Sequence, residues 1–416
     1  LVIGAFLFAR ELYGTDAGLL AATLCAFSPN LLAHGRLATT DLGLACFVLL
    51  SVYTYYRFVQ APSTDRLVLA GVALGAALLA KFTGVLMLPL LGLWAVVIPV
   101  VRHRSLPDDG LSDQSRLPLP RALAGSIAAT IAIVAIGLFT VSLGYLTPGR
   151  PWVYFQDMGQ VGVNVMNEYT AYFHGSFVEG GVPWYFVAAF LLKTPLAFLL
   201  LLTLRLGWDV RRPSGSMIAR ILIFTPIAVW FAIVSWRAFQ IGVRYVLPAY
   251  PLLFVYASGI VASPAFDRRW VRAAVAGLAV WFVSSSLIAH PDYLPYFNEL
   301  AGGPDNGIEW LDDSNIDWGQ DLILLRTFIE ETDAQGVRFT PMAEYDPALY
   351  GLDAEFVRPE VSLRDLSSAS PPPGIYAVSV HLLNRIRANP SAVTDPLRDL
   401  TPVAVLGHTI YVYYVP

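Results

Sequence analysis

One aspartate, two lysines and a neighbouring arginine and tyrosine are the residues of this 416-residue chain best suited to chemistry in an apolar setting. Asp41 closes the polar loop 28–41 and opens the apolar run 42–58, while Lys81 interrupts the run 67–101 and Lys193 sits inside 182–204. Charge at membrane depth costs several kcal/mol, so each of these groups needs a reason to be there. Lys81 and Lys193 are the only two lysines, beside 25 arginines. A compact ammonium suits a phosphate as a point charge, although both side chains could instead snorkel to an interface. Arg237 and Arg244 stand seven residues apart around a short loop that ends at Tyr245, and they suit an anion, for which lipid headgroups would also serve. Asp41 could take a proton from an acceptor hydroxyl or orient that acceptor beside Arg36, and it could equally be a helix N-cap. His34, His174, Glu168 and Glu179 follow no metal-ligand spacing. Asp317 and Trp318, in the segment 312–321, could form a polar and aromatic ligand contact. The alternative is a capped helix start with Trp318 buried.

The elements that must position these residues follow from composition. With 56% hydrophobic and 14% charged residues and a mean hydropathy of +0.57, the chain cannot cover itself with a water-soluble surface. Lipid must be its solvent, and disorder, coiled coil and disulfide scaffold drop out. Cys25 and Cys46 lie inside apolar runs and read as packed thiols. Apolar stretches at 17–28, 42–58, 67–80, 82–101, 122–147, 182–204, 218–236, 245–262 and 272–289 predict nine helical spans, with a partial one at 1–9. The chain opens on Leu1 within that partial run, which reads as a truncated N-terminus. If the loops alternate sides, fourteen bases fall on one side and six on the other, tail excluded, so the richer side is cytoplasmic. Residues 29–41, 148–181, 237–244 and the tail are then outside. Residues 1–289 carry net charge +8 and residues 290–416 carry −12, which sum to the chain's −4 and set a domain boundary at 289/290. The tail predicts a helix over 322–332, a strand over 374–380 and a hairpin over 403–415, hence a small α/β domain.

Several segments, in this order, resemble the membrane glycosyltransferases that take sugar from a polyprenyl-phosphate carrier, in the protein mannosyltransferase and aminoarabinose transferase superfamily. They are Leu12-Tyr13-Gly14 with 17–22, Ser28-Pro29 leading to Gly35-Arg36-Leu37-Ala38-Thr39-Thr40-Asp41, and Leu74–Gly84 around Lys81. Further along come Gly181-Val182-Pro183-Trp184-Tyr185-Phe186, Arg244-Tyr245-Val246-Leu247-Pro248, 290–299 and 314–321. The resemblance implies the C-type glycosyltransferase fold: a polytopic α-helical membrane protein with a small outer-face α/β C-terminal domain. It implies two domains, 1–289 in the membrane and 290–416 outside. In the family the main catalytic acid lies in a first outer loop, before the point where this sequence begins, and Asp41 matches the second acid.

The resemblance further implies sugar transfer, with inversion, from a polyprenyl-phosphate carrier to a hydroxyl of a protein, lipid or glycan at the outer face of a bacterial inner membrane. No cofactor is certain beyond that lipid-linked donor, and a divalent metal is undetermined. Asp41 is the expected catalytic residue. Lys81, Lys193, Arg244 and Tyr245 are the expected phosphate ligands, and His34, Arg36, Arg237, Asp317 and Trp318 the further contacts. Membrane lipids, the carrier and the acceptor are the partners, and nucleic acid is not. A transporter or lipid flippase would also put cations and an acid in the membrane, but it predicts internal repeats and a broken-helix site near the midplane, and no repeat is visible. A member that only binds polyprenyl phosphate is the other alternative.

Overall fold

The computed structural model of the protein describes residues 1–104, 118–164, 170–211, 215–237, 239–342, 347–366, 372–388, 397 and 400–416. The helices of the first part run α1 (Val2–Tyr13), α2 (Thr15–Ala26), α3 (Pro29–Arg36), α4 (Asp41–Gln60), α5 (Thr64–Ala80), α6 (Met87–Arg104), α7 (Leu119–Gly144) and α8 (Trp152–Asn164). A hairpin of β1 (Thr170–Phe173) and β2 (Ser176–Glu179) follows, then α9 (Tyr185–Lys193), α10 (Leu196–Arg211), α11 (Met217–Arg237), α12 (Ala249–Ser258) and α13 (Arg269–Ile288). Beyond them lie α14 (Gly307–Trp310), α15 (Leu322–Thr332), β3 (Arg338–Thr340), β4 (Glu355–Phe356), α16 (Pro359–Leu366), β5 (Gly374–Ser379), α17 (Val380–Arg387), β6 (Ala404–Leu406) and β7 (Ile410–Val415).

Among the described residues, α4, α6 with the 3₁₀ turn before it, α7, α11 and α13 are each long and apolar enough to cross a membrane. With the composition, they make the chain an integral membrane protein. The number rises from 5 to 7 if α2 with α3, and α9 with α10, each count as one span. The nine expected runs differ from this because hydropathy does not register breaks. The run 182–204 is two helices, since Pro195 cannot donate to the ladder and α9 ends at Lys193. The runs at 67–80 and 245–262 hold helices of 17 and 10 residues.

The chain packs as two compact units. The first comprises Leu1–Asn167, Ala197–Trp236 and Tyr245–Ser284. In it α5 lies close against α7, where a Cβ on Gly75 would come within 2.5 Å of Thr140. Arg205 on α10 is buried there. It pairs with Asp209 at 3.3 Å, donates to the Gly259 carbonyl at 3.1 Å and lies against the rings of Tyr13 and Tyr256.

The second unit comprises Glu168–Leu196, Arg237–Arg244 and Ser285–Pro416. Its sheet has the order β4-β3-β5-β7-β6, parallel between β3 and its two neighbours and antiparallel across β5, β7 and β6. Leu322, Leu325 and Ile329 of α15 bury one apolar stripe against Phe339, Ala377, Ile410 and Val412. The expected helix 322–332, strand 374–380 and hairpin 403–415 are all present. The compact unit that holds the tail also takes 168–196 and 237–244. The physical reason is pairing at long sequence separation: Asn298 donates to the carbonyls of Leu191 and Thr194 at 2.6 and 2.7 Å, and Gln240 exchanges two hydrogen bonds with Val182.

Candidate active site

In the first unit the chain delivers Asp41 through a bent entry. Ser28 caps α3, with Pro29 at its first position, and α2 and α3 meet at 53°. Asn30, buried in α3, donates to the Tyr250 hydroxyl of α12 at 3.2 Å. His34 is buried on the same helix, Arg36 at its end is exposed, and α4 begins at Asp41. The N-cap of α4 is Thr40, without a side-chain cap bond, so Asp41 is a first-turn residue whose carboxylate is directed elsewhere.

That carboxylate meets Lys81. The Lys81 Nζ lies 2.6 Å from Asp41 Oδ1, with the lysine side chain 24% exposed and the aspartate 3%. Lys81 ends α5 in an extended conformation and starts the 3₁₀ turn Phe82–Leu86, closed by the Gly84 amide donating to the Lys81 carbonyl at 2.8 Å. Only glycine fits at 84, since a Cβ there would clash with the Ala77 carbonyl oxygen. The Tyr154 hydroxyl, from α8, donates to the Phe82 carbonyl at 3.3 Å and braces the same turn. The Lys81 ammonium also lies 4.8 Å from the centre of the Tyr245 ring, a cation–π distance. Three sequence-predicted residues, Asp41, Lys81 and Tyr245, thus form one cluster: a base, a cation and a ring that supports the cation.

The other predicted residues belong to the second unit. The Lys193 ammonium is wholly buried, donates to the carbonyls of Leu294 (2.7 Å) and Asn315, and lies 4.4 Å from the centre of the Phe297 ring. We therefore propose Lys193 as an internal pin in place of a phosphate ligand: two of its donors go to backbone carbonyls and the side chain is wholly buried. Asn315, which sequence reasoning did not single out, accepts from the Val243 amide at 2.9 Å and donates to the Tyr185 hydroxyl at 2.8 Å. Ser314 donates to the Ile241 carbonyl at 2.6 Å. These bonds fix the backbone that ends at Arg244, whose guanidinium stacks 4.4 Å over Trp318. Asp317 is buried, accepting from the Gly319 amide at 2.8 Å and the Ser379 hydroxyl at 2.6 Å. Burial pushes its carboxyl above the usual carboxylate range, and that of Asp313 likewise. Asp317 is thus a clasp for β5, and the half-buried Trp318 backs Arg244. The Arg237 side chain and Glu168 lie outside the described residues. Among the described residues no group of three His, Cys, Asp or Glu could hold a metal ion, and His174 stacks on Trp310 at 4.7 Å.

Residues 1–108 match the family described as dolichyl-phosphate-mannose-protein mannosyltransferase. The matched stretch contains both Asp41 and Lys81. With the motifs quoted above, the chain resembles the membrane glycosyltransferases that use polyprenyl-phosphate sugars. Among solved structures, apo ArnT from Cupriavidus metallidurans is similar at 16% identity over 99% of this chain and 81% of that one, TM-score 0.45. The same protein bound to undecaprenyl phosphate gives 13% over the same shares, TM-score 0.42. The Archaeoglobus fulgidus oligosaccharyltransferase tethered with an acceptor peptide gives 12% over 81% of this chain and 49% of that one, TM-score 0.40. No curated protein matches.

Proposed function

We propose that this protein transfers a sugar from a polyprenyl-phosphate carrier to an acceptor hydroxyl at the outer face of the membrane, with inversion at the anomeric carbon. The observation that carries the reading is the Asp41–Lys81 pair at 2.6 Å, inside the stretch that matches the mannosyltransferase family. A lipid-phosphate sugar already has its leaving group, so the protein needs a cation for the phosphate, a base for the hydroxyl and a means of orienting both. Lys81, steadied by Tyr245, is the cation, and Asp41 is the base. The acceptor oxygen bonds to the anomeric carbon as the bond from that carbon to the phosphate oxygen breaks. The electron pair leaves with the lipid phosphate and the hydroxyl proton goes to Asp41. Arg36 and His34, on the helix before Asp41, are the proposed contacts for acceptor or sugar. Arg244 on its Trp318 support is a separate anion contact of the second unit.

Transfer of labelled sugar from a polyprenyl-phosphate donor by the full-length protein tests the reading. Asp41→Asn should lower turnover by about 10²–10⁴, the range of a lost general base. Undiminished transfer by that variant would remove Asp41 from the mechanism, and carrier binding without any transfer would favour a protein that only binds the carrier.

A further inference from the structure

Resting on the carrier-phosphate reading of this site, we propose that Asp41 and Lys81 form an exchange couple. The arriving lipid phosphate takes the Lys81 ammonium away from Asp41, and only then is the carboxylate available to the acceptor hydroxyl. The site would therefore fill in order, donor first.

The asymmetry of the pair motivates this. Lys81 is 24% exposed and Asp41 only 3%, so a ligand reaches the ammonium and finds the carboxylate behind it. An ion pair at 2.6 Å is neutral as a whole, and it attracts a phosphate strongly only if the ammonium changes partner. While the pair is closed, an Asp41 oxygen is held by a charged donor and has little to offer a hydroxyl proton. When the ammonium leaves, a buried carboxylate is left without its counter-charge, a costly state that uptake of a proton relieves. The flexible lysine stem permits the move, and the Tyr245 ring, 4.8 Å from Nζ, gives the ammonium a face to rest on as it turns. Lys81 keeps its proton throughout. The hydroxyl proton passes to Asp41, the acceptor oxygen bonds to the anomeric carbon, and the phosphate departs with the electron pair of the broken bond. A closed pair also restrains Asp41 from activating water before the donor is in place.

The experiment is equilibrium binding of undecaprenyl phosphate, with undecaprenol as the uncharged control, to full-length protein in phosphatidylcholine nanodiscs. Wild type, Asp41→Asn, Lys81→Met and the double variant are compared. Removing the competing carboxylate should tighten phosphate binding by about tenfold, the advantage of one charge-assisted hydrogen bond, even though turnover falls. The gain should vanish in the Lys81→Met background. Equal or weaker binding by Asp41→Asn, with wild type still preferring the phosphate, overturns the exchange couple and leaves the carrier reading standing. A gain that persists without Lys81 overturns it too, because plain charge repulsion then explains the effect. Wild type that does not distinguish the two lipids removes the carrier reading and the couple with it. Should Asp41→Asn fail to fold, infrared difference spectra of wild type on adding undecaprenyl phosphate decide. A shifted carboxylate band that is absent in Lys81→Met supports the couple, and no shift overturns it.

Discussion

Replacing Lys193 by methionine separates an internal pin from a phosphate ligand. The substitution keeps the length of the side chain and removes its charge. Two buried carbonyls, those of Leu294 and Asn315, lose their donor, at about 1–3 kcal/mol each. Loss of the contact with the Phe297 ring adds roughly 1 kcal/mol. Sparing the burial of an ammonium offsets part of this, leaving a net loss of about 2–4 kcal/mol in the second unit. For a body of this size that corresponds to a fall in Tm of roughly 4–16 °C. Thermal unfolding followed by tryptophan fluorescence reads the shift, and carrier binding below the transition should be unchanged. A variant that melts like wild type but has lost its affinity for undecaprenyl phosphate would refute the reasoning and restore Lys193 as a ligand.

Gly84→Ala should lower stability by about 1–3 kcal/mol and weaken carrier binding together, because its Cβ meets the Ala77 backbone and the turn carrying Lys81 must shift; melting and binding on the same preparation check this. Asp317 titrates with a raised folded-state carboxyl, so its contribution to stability is present below the unfolded value near pH 4 and lost as pH rises through the folded one. Asp317→Asn should therefore flatten the fall in the second unit's Tm over that window, as melting curves at stepped pH would record.

Much of the architecture is legible in the sequence because its cause is local. Continuous apolar runs mark α4, α6, α7, α11 and α13, and alternation with Gly407 marks the hairpin of β6 and β7. Pro195 is visible in the sequence, but the break before it is not, since the run stays apolar through it. The hairpin of β1 and β2 hid in an aromatic-rich stretch that suits an interfacial belt equally well. Asp41 and Lys81 are legible as lone charges, while their pairing spans 40 positions and follows no local pattern. A signal existed: an acid opening one apolar run and a base at the end of the next, on the same expected side, each needing a counter-charge. Lys193 reads from the sequence as a snorkelling or phosphate-binding lysine, while a buried ammonium can also be satisfied by backbone carbonyls. Only tertiary structure brings residues 294 and 315 to it.

The most direct measurement is a structure of the full-length protein in nanodiscs with undecaprenyl phosphate bound. The phosphate should sit within about 3 Å of the Lys81 ammonium, with Asp41 released and facing the space for an acceptor. A phosphate seated away from Lys81, with the ion pair still closed at 2.6 Å as it is here, would contradict the account.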